Sequence, residues 1–586
     1  MKELYSGNAA IALGALEAGV TLAAGYPGTP STEILENIAK SKEIYCEWAP
    51  NEKVALEVGI GSSLAGARTL VTMKHVGVNV AADPLMTFAY TGVNGGLVLI
   101  SADDPGMHSS QNEQDNRYFA KFAKIPILEP SDSQEAKDMV RQGLELSELM
   151  DIPVMLRITT RVAHSQTLVA AGESVQREVR NYQKDAKKNL MVPAFARMRR
   201  VDLDKRHEKL REYSESTPLN KVEMQDNKVG VVTSGISYQY VKELLPNASI
   251  FKIGMTNPLP MGKIKEFAAA VDKLYVVEEL EPFMEEQLQI QGINAVGKEL
   301  FPVTGEFSPE LLRQKFIQAG ELAPESTEQD FADLPPVPGR PPVLCPGCPH
   351  RGVFYTLKKL KLTVTGDIGC YTLGGLPPLE GIDSCVCMGA SIGMAHGAEK
   401  AVPGLRGRTV AVIGDSTFMH SGITGLLNVV YNQGNSTVII VDNRTTAMTG
   451  HQDHPATGRN LMGEEAPEVD LEALCRAIGV KRVKVVDPLD LEQLKNTVKT
   501  EVADPGPSVI IARRPCALLS KEPEGPVIEV DADTCEGCKA CLRLSCPAIS
   551  VTDDKAHVDP NTCNGCGVCM QVCKFGAMVK GGNANA

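Results

Sequence analysis

Eight of the sixteen cysteines lie near the C-terminus, in two runs of related spacing. The runs are Cys535, Cys538, Cys541, Cys546 and Cys563, Cys566, Cys569, Cys573. Each run has three cysteines separated by two residues each and then a fourth cysteine. Two runs of this kind are the pattern with which electron-transfer domains bind two [4Fe-4S] clusters. Since the fourth cysteine of each run binds the other cluster, the predicted ligand sets are Cys535, Cys538, Cys541, Cys573 and Cys563, Cys566, Cys569, Cys546.

Two details depart from the usual two-cluster pattern. The first run has four residues before its last cysteine instead of three, and Lys574 follows the second run where proline is usual. The extra residue could change the loop around one cluster and its reduction potential. Zinc is the alternative metal that Cys-x-x-Cys pairs bind, but eight cysteines in this repeat favour iron–sulfur clusters.

Polar residues also follow two predicted buried strands in the middle of the chain. The apolar run 409–413 ends in Gly414-Asp415-Ser416, and the run 437–441 ends in Asp442-Asn443. We predict a crossover helix over 421–433, ended by Gly434, which makes the strands parallel and brings both ends to one sheet edge. Asp415 and Asn443 could then bind Mg²⁺, which prefers oxygen ligands. The alternative is an ordinary doubly wound domain with polar strand ends.

The N-terminal part of the chain contains a third candidate site. A predicted strand leads into the turn 25–33, whose Ser and Thr residues and Glu33 indicate the start of a helix. Asn51 and Glu52 precede a second helix of small residues. An acid in the first turn of a helix, such as Glu52, is favoured by the helix dipole alone, and a carboxyl group can also relay protons.

The composition indicates a globular, multidomain α/β protein. The 586 residues are 43% hydrophobic and 22% charged, a length that predicts three to five domains. The net charge of −13 argues against a nucleic-acid partner. We find neither a long apolar window nor a signal-peptide pattern and therefore expect a cytoplasmic protein without a membrane partner. In that compartment cysteines act more often as metal ligands than as disulfides.

Several of these motifs resemble those of one enzyme family. The segments Tyr26-Pro27-Gly28-Thr29-Pro30-Ser31, Asn51-Glu52 and 61–68, together with the Gly414-to-Asn443 motif, are similar to those of the 2-oxoacid:ferredoxin oxidoreductases. The resemblance implies thiamine diphosphate, with Mg²⁺ held by Asp415, Asn443 and the carbonyl of Thr445. It implies that Glu52 contacts N1′ of the aminopyrimidine and that Thr29 is catalytic. The other implied cofactor-binding residues are Gly347, His350, Met388, Gly389, Ser391, Gly414 and Ser416.

The loop 101–115 follows a predicted strand and resembles the corresponding loop of the indolepyruvate branch of the family. We therefore place it at the mouth of the substrate site, with His108 as a candidate catalytic residue, although a solvated loop is the alternative. Lys74 and His75 end another predicted strand. Either side chain could meet the carboxylate of a 2-oxoacid, but both residue types also have structural roles.

A third cluster is implied by four further cysteines, Cys345, Cys348, Cys370 and Cys516. Their arrangement, a Cys-x-Gly-Cys motif, a Gly-Cys pair and a late Pro-Cys pair, resembles the set that holds the cluster nearest to thiamine diphosphate in the family. The alternative is a two-cluster subunit in which these four cysteines are buried or shape the cofactor site. Cys385 and Cys387 match no ligand position.

The resemblance covers nearly the whole chain and predicts two thiamine diphosphate-binding doubly wound parallel-sheet domains, a packing α/β domain and an α+β bacterial-type 2[4Fe-4S] ferredoxin domain. The predicted segments are a pyrimidine-binding domain (1–165), a charged linker or arm (166–225), a transketolase C-terminal-like packing domain (226–321), a proline-rich linker (322–342), a diphosphate- and Mg²⁺-binding domain (343–520) and the ferredoxin domain (525–586). Glu52 and Asp415 are expected to hold opposite ends of the cofactor across a domain or subunit interface.

The implied activity is the CoA-dependent oxidative decarboxylation of aryl-pyruvates to aryl-acetyl-CoA, with electrons passed to an external ferredoxin. No CoA motif is recognisable. No segment resembles the family's gamma domain, so we expect a separate smaller beta subunit and a hetero-oligomer. The alternatives are the same reaction on pyruvate, a branched-chain 2-oxoacid or 2-oxoglutarate, and an electron-carrier subunit with a relic thiamine diphosphate domain.

Overall fold

A computed structural model describes residues 2–175, 179–182, 184–324, 339–520 and 522–582. The chain forms two compact units, Met1–Leu334 and Pro335–Ala586. Most of the predicted proline-rich linker lies outside the described residues. No helix in the described part of the chain combines the length and apolar character needed to cross a membrane.

The first unit is built from three sheets and their flanking helices. Its strands are β1 Lys2–Ser6, β2 Leu22–Gly25, β3 Tyr45–Trp48, β4 Thr69–Lys74, β5 Leu97–Asp103, β6 Ile127–Leu128, β7 Val154–Thr159, β8 Gln166–Ala170, β9 Lys221–Glu223, β10 Val229–Thr233, β11 Ser249–Lys252, β12 Met255–Asn257 and β13 Lys273–Val277. Its helices are α1 Gly7–Glu17, α2 Thr32–Ser41, α3 Glu52–Ala65, α4 His75–Val80, α5 Ala82–Thr91, α6 Arg117–Ala123, α7 Ser133–Met150, α8 Thr160–His164, α9 Ala186–Asn189, α10 Pro193–Ser216, α11 Ser237–Leu244, α12 Met261–Ala269, α13 Phe283–Ile290 and α14 Pro309–Gln318.

The main sheet of the first unit has seven strands in the order β12-β6-β7-β5-β4-β2-β3. All are parallel except β12, which pairs antiparallel with β6. Strands β4, β5 and β7 are almost entirely buried, as expected for a parallel sheet covered by helices on both faces. The carboxyl ends of these strands therefore form one edge, where α3 and the loop after β5 begin.

The segment predicted as a charged arm, 166–225, contains regular structure at both ends. Strand β8 pairs with β1, and β9 pairs with β11 of the smaller four-stranded sheet. Between them, α10 buries Leu203 and Leu210, while most of its charged side chains face outward. The predicted domain bounds stay predictions, but this segment is joined to the sheets on either side of it.

The second unit contains a doubly wound sheet and a small C-terminal α+β region. Its strands are β14 Thr363–Thr365, β15 Thr409–Gly414, β16 Thr437–Asp442, β17 Arg482–Val486, β18 Ser508–Arg513, β19 Ile528–Val530, β20 Ile549–Thr552, β21 Lys555–Val558 and β22 Met578–Lys580. Its helices are α15 His350–Leu360, α16 Ala390–Ala401, α17 Asp415–Thr417, α18 Ile423–Tyr431, α19 Leu471–Ile478, α20 Leu491–Ala503 and α21 Val568–Val572.

The five-stranded sheet of this unit is parallel throughout, in the order β14-β15-β16-β18-β17. The C-terminal region adds the antiparallel pairs β19-β22 and β20-β21. One apolar core continues from the sheet into this region, since Val410 and Ile439 belong to the same buried cluster as Leu544 and Val568. The α/β and ferredoxin-like parts of the second unit are therefore packed together.

The predicted helix 421–433 starts too late. The helical run begins at Asp415, directly after β15, and continues through a π-turn at 418–422 into α18. Phe418 and Met419 are buried, but the π-turn disturbs the 3.6-residue period that sequence patterns detect. The helix also ends before Gly434, because Gln433 takes the left-handed conformation with φ 51°.

Candidate active site and iron–sulfur sites

The polar residues after β15 and β16 lie side by side. The two strands are adjacent and parallel, with Gly414 opposite Val441. Asp415 follows the first strand and Asn443 follows the second, so both side chains lie at the carboxyl edge of the sheet. Both residues are buried, which agrees with the arrangement predicted from the two apolar runs.

Three polar groups converge at this edge. One atom of the Asn443 carboxamide lies 2.9 Å from the carbonyl oxygen of Thr445 and 3.2 Å from Asp415 Oδ1. If this atom is the nitrogen, it donates to both oxygens. If it is the oxygen, three oxygens face one another, at the spacing of about 2.9 Å that neighbouring ligands have around an octahedral Mg²⁺. With the carboxamide oxygen on this side, the donor set fits a hard cation.

Asp415 is surrounded by groups that stabilise its anion. Its carboxylate accepts hydrogen bonds from the backbone N–H of Ser416 at 2.9 Å and of Arg444 at 2.8 Å. His454 Nε2 lies 3.2 Å from Asp415 Oδ2. Burial disfavours the anion, but the contact with His454 and the Ser416 N–H outweigh this and hold the pKa of Asp415 below its usual range. His454 was not predicted from the sequence.

A second buried carboxylate, Asp367, shapes the turn 388–391. It accepts hydrogen bonds from the backbone N–H of Gly389 at 2.7 Å and of Ser391 at 3.0 Å. Gly389 has φ 87°, and a Cβ there would lie 2.3 Å from Ser421 Cβ, so only glycine fits. Burial raises the pKa of Asp367. The sequence analysis missed this residue, although it follows strand β14 and a glycine just as Asp415 follows β15 and Gly414.

The remaining residues predicted to bind thiamine diphosphate fall into two places. His350 is buried, and burial lowers its pKa to about 4 although the charge of Asp415 opposes the shift, so its imidazole is neutral at physiological pH. Ser416 accepts a hydrogen bond from Thr446 Oγ1 at 2.9 Å. Gly347, in contrast, packs against Asn564 and lines a cavity in the C-terminal region. The diphosphate contact of Gly347 stays a prediction.

In the first unit, Glu52 is the first residue of α3 and is 5% exposed. The preceding Asn51 caps the helix by accepting from the backbone N–H of Val54 at 2.9 Å. A Cβ on Gly77 would lie 2.8 Å from Glu52 Oε1, so the glycine leaves room for the carboxyl group. The cap and the glycine hold Glu52 in a narrow, largely dry position at the carboxyl edge of the sheet.

Lys74 lies near Glu52 at the same edge. The added Cβ of Gly28 would be 3.1 Å from Lys74 Cδ, so the turn containing Thr29 packs along the lysine stem. Lys74 Nζ donates to the carbonyl of Ser109 at 2.8 Å. Burial lowers the pKa of Lys74 to about 8, although the charges of Asp104 and Glu52 oppose the shift. Thr29, Glu52 and Lys74 are thus brought into one neighbourhood.

The two candidate histidines have different environments. His75 is fully buried, and its Nε2 lies 3.1 Å from Asn112 Oδ1 in the loop after β5. His108 is exposed and its Nε2 lies 3.2 Å from Glu306 Oε2. His75 thus contacts the loop after β5, and His108 contacts Glu306 at the surface. His75 directly follows Lys74, and the catalytic roles of both histidines stay predictions.

The eight C-terminal cysteines surround two cavities. One cavity is lined by Cys535, Cys538, Cys541 and Cys573. The other is lined by Cys546, Cys563, Cys566 and Cys569. Backbone N–H groups of Ala556 and Gly565 point to the sulfurs of Cys535 and Cys563 at 3.5 and 3.4 Å. Each cavity therefore brings together four thiols, including one from the opposite run.

The four cysteines of the possible third set also lie near one another. Burial raises the pKa of Cys348 to about 12, and the nearby Cys345 and Cys370 add to the rise. Burial raises that of Cys370 to about 11, with Cys516 and Cys345 adding to it. The backbone N–H of Cys516 donates to the carbonyl of Asn443 at 2.9 Å. This cysteine set therefore borders the Asp415–Asn443 site directly.

Comparisons with known proteins agree with this division into sites. Residues 13–220 match the family described as "Pyruvate flavodoxin/ferredoxin oxidoreductase, thiamine diP-bdg". Residues 367–512 match "Thiamine pyrophosphate enzyme, C-terminal TPP binding domain", and residues 527–574 match "4Fe-4S dicluster domain". The last match supports iron–sulfur clusters over zinc in the C-terminal region.

Three curated relatives are similar to the chain over nearly its whole length, and each is named indolepyruvate oxidoreductase subunit IorA. The protein from Pyrococcus horikoshii is 42% identical, over 99% of this chain and 97% of its own. The protein from Archaeoglobus fulgidus is 40% identical (98% and 96%) and that from Methanothermobacter thermautotrophicus is 41% identical (98% and 96%).

Fold, sites and matches together define a thiamine diphosphate- and iron–sulfur-dependent 2-oxoacid:ferredoxin oxidoreductase. At more than 40% identity over almost full length, the chain belongs to the family of indolepyruvate oxidoreductase IorA subunits.

Proposed function

We propose that the chain catalyses the oxidative decarboxylation of aryl-pyruvates such as indolepyruvate and phenylpyruvate. In the balanced reaction, a 2-oxoacid anion and the thiol of CoA give an acyl-CoA, CO₂, one proton and two electrons. Two oxidised ferredoxins each take one electron. The observation that carries this proposal is the identity of 40–42% to curated proteins named indolepyruvate oxidoreductase subunit IorA. The hydrogen bond from the Cys516 N–H to the Asn443 carbonyl supports the electron route, because it joins the cofactor half-site to a set of cysteines.

Asp415, Asn443 and the Thr445 carbonyl would hold Mg²⁺ on the diphosphate of the cofactor. Their convergence supports this role, since Mg²⁺ is bound by a few protein oxygens together with phosphate. The turn 388–391, whose backbone is fixed by Asp367, would lie beside the diphosphate at the start of α16. His454 would act through Asp415 by fixing the orientation of its carboxylate.

Glu52 would exchange a proton with N1′ of the aminopyrimidine. Its burial, its position at the start of α3 and the room left by Gly77 support this role. Thiamine diphosphate, when bound, supplies the nucleophilic carbon and the electron sink for decarboxylation. Lys74 would bind the carboxylate of the 2-oxoacid, and the loop 104–116 would enclose the side chain of the substrate.

The cysteines would carry the electrons away one at a time. We propose [4Fe-4S] clusters on Cys535, Cys538, Cys541, Cys573 and on Cys563, Cys566, Cys569, Cys546, and a third on Cys345, Cys348, Cys370 and Cys516. The grouping of each set around one space supports these assignments. A separate smaller beta subunit and an external ferredoxin would complete the enzyme.

A substrate panel tests the proposal. The chain, purified anaerobically with its small subunit, should reduce viologen with CoA and either indolepyruvate or phenylpyruvate. Faster turnover with pyruvate, a branched-chain 2-oxoacid or 2-oxoglutarate would assign the same chemistry to another substrate. Cluster reduction only by external donors, with no 2-oxoacid active, would instead indicate an electron-carrier subunit.

A further inference from the structure

Arg351 lies where the Cys345–Cys348 loop meets the C-terminal region. It is the second residue of α15 and is 3% exposed. Its guanidinium donates to the carbonyl oxygens of Leu344 at 2.7 Å and Cys345 at 2.9 Å on one side. On the other side it donates to the carbonyl of Leu544, in the segment between Cys541 and Cys546. One side chain thus links the loops of two cysteine sets.

This buried cation has no carboxylate partner among the described residues. The ion pairs of the second unit, so far as the structure describes it, do not include Arg351, and its Nε has no hydrogen-bond partner there. A buried, uncompensated guanidinium is costly, since desolvation of a charge has to be offset by an opposite charge or by good hydrogen bonds. Three neutral carbonyls offset only part of this cost. A negative charge nearby would therefore stabilise the buried guanidinium.

Cysteines of both sets lie near the guanidinium of Arg351. Arg351 lines the cavity of Cys546, Cys563, Cys566 and Cys569 together with Cys348. Burial raises the pKa of both Cys348 and Cys566, and the charge of Arg351 opposes the rise in each case. The same positive charge therefore acts on a sulfur of the third set and on a sulfur of the ferredoxin region.

The close approach of the two loops is built into the backbone. Gly347 has φ 69°, and a Cβ on it would lie 1.8 Å from Asn564 Nδ2, next to Cys563. A larger residue would have to displace the Asn564 side chain or separate the Cys345–Cys348 loop from the Cys563–Cys569 loop. The glycine thus fixes a short separation between the two cysteine sets, with Arg351 beside it.

We infer that Arg351 is the shared counter-charge of the two clusters held by Cys345, Cys348, Cys370, Cys516 and by Cys546, Cys563, Cys566, Cys569, and that it raises their reduction potentials. This inference rests on the proposed cluster assignments. Reduction of a cluster adds one electron and one negative charge, and no bond is formed or broken. A fixed cation in a site of low dielectric constant stabilises the more negative, reduced form more strongly. Arg351 is therefore a positioning and tuning residue that does not touch the substrate.

The test is a reduction-potential measurement on the anaerobic holoenzyme by EPR-monitored titration, with iron quantified on each sample. Arg351→Gln removes the charge and should make the affected clusters at least tenfold harder to reduce, a shift of about 59 mV for one electron. Arg351→Lys keeps the charge and should shift the potentials less than half as far. Arg543→Gln is the matched control, because Arg543 is exposed in the same region and its loss changes the net charge equally.

Each outcome decides the inference. Full iron content with unchanged potentials in Arg351→Gln, or an equal shift in Arg543→Gln, would overturn it. If Arg351→Gln loses iron, Arg351→Lys decides: retained iron and near-native potentials support the counter-charge, whereas lost iron shows that only the carbonyl contacts matter. Failure of the proposed cluster assignments is distinguished beforehand by the iron content of the wild-type protein. About eight irons instead of about twelve would remove the third cluster and with it the shared role of Arg351, and fewer than about eight would remove the other assignments as well.

Discussion

Asn443 and Asp415 meet across two adjacent parallel strands, with the Asn443 carboxamide 3.2 Å from Asp415 Oδ1. The backbone carbonyl of the same asparagine accepts the N–H of Cys516. One residue thus belongs to the diphosphate half-site through its side chain and contacts a cysteine set through its backbone. Under the function proposed above, this arrangement would connect the site of decarboxylation to the first electron acceptor.

The contact between His454 and Asp415 predicts how strongly the cofactor is held. His454→Ala should weaken Mg²⁺-dependent binding of thiamine diphosphate by about 10–100-fold, because a partner that orients a metal ligand is lost. Asp415→Asn should weaken it further. Calorimetric titration of the apoprotein checks both, with His396→Ala as the control, since His396 pairs with Glu399 instead. Equal affinities in all variants would contradict the assignment of the site.

Glu52 is expected to be essential for turnover and irrelevant for the clusters. Glu52→Gln should lower kcat by at least about 10²-fold, the lower range for a lost proton relay, while iron content stays unchanged. Glu57→Gln is the control, because Glu57 lies on the same helix, is partly exposed and pairs with Lys53. Steady-state viologen reduction measures the effect. Native activity in Glu52→Gln would refute the role of this carboxyl group.

The lowered pKa of Lys74 predicts that substrate binding depends on pH. Because its pKa is lowered to about 8, its charge is complete well below pH 8 and is lost as the pH rises through that value. The KM for the 2-oxoacid should therefore rise above about pH 8. Lys74→Arg keeps its charge over this range and should show a flat KM up to pH 9. A rise of the same size in both proteins would exclude Lys74 as the carboxylate-binding group.

Iron content distinguishes two clusters from three. The wild-type chain should contain about twelve irons and Cys516→Ala about eight, at four irons for each cubane cluster. Cys385→Ala should keep all twelve, because Cys385 is exposed and belongs to none of the three sets. Colorimetric iron analysis of anaerobically purified protein is sufficient. About eight irons in the wild-type chain would remove the third cluster and leave the other two.

The buried ion pairs around Arg117 predict a large effect on stability. Arg117 is 1% exposed and pairs with Asp115 and with Glu278, so it ties the loop after β5 to the end of β13. Arg117→Ala should destabilise the first unit by about 3–5 kcal/mol, because two buried carboxylates lose their partner. Arg141→Ala, which removes an exposed pair with Glu145, should cost below about 1 kcal/mol. Urea unfolding followed by circular dichroism compares them, and equal midpoints would contradict the prediction.

The parts of the fold that follow from local pattern were predictable. The apolar runs before Asp415 and Asn443 form β15 and β16 with small changes at their ends, because buried parallel strands are continuously apolar. The spacing of the C-terminal cysteines predicted which four cysteines line each cavity. In this motif the fourth cysteine of each run belongs to the ligand set of the other run. The family resemblance added Glu52, which is the buried first residue of α3 and whose role stays a prediction.

The missed features depend on contacts between residues far apart in sequence. His454 lies 39 residues from Asp415, and nothing near it in the sequence marks it as a partner. Gly347 lies against Asn564 because the C-terminal region packs on the α/β part of the second unit. The Cys-x-Gly-Cys motif that contains Gly347 does not by itself reveal this contact. Arg351 lies three residues after Cys348, and no sequence pattern marks its role, because a missing counter-ion is visible only in three dimensions.

The central claim is that decarboxylation at the thiamine diphosphate site delivers electrons to the chain's own clusters. The direct measurement is EPR of the anaerobic, oxidised holoenzyme, frozen after mixing with indolepyruvate and CoA without an external acceptor. The account predicts the signal of reduced [4Fe-4S] clusters in the wild-type enzyme and its absence in Glu52→Gln and Asp415→Asn. Release of CO₂ from indolepyruvate while the clusters of the wild-type enzyme stay oxidised would contradict it.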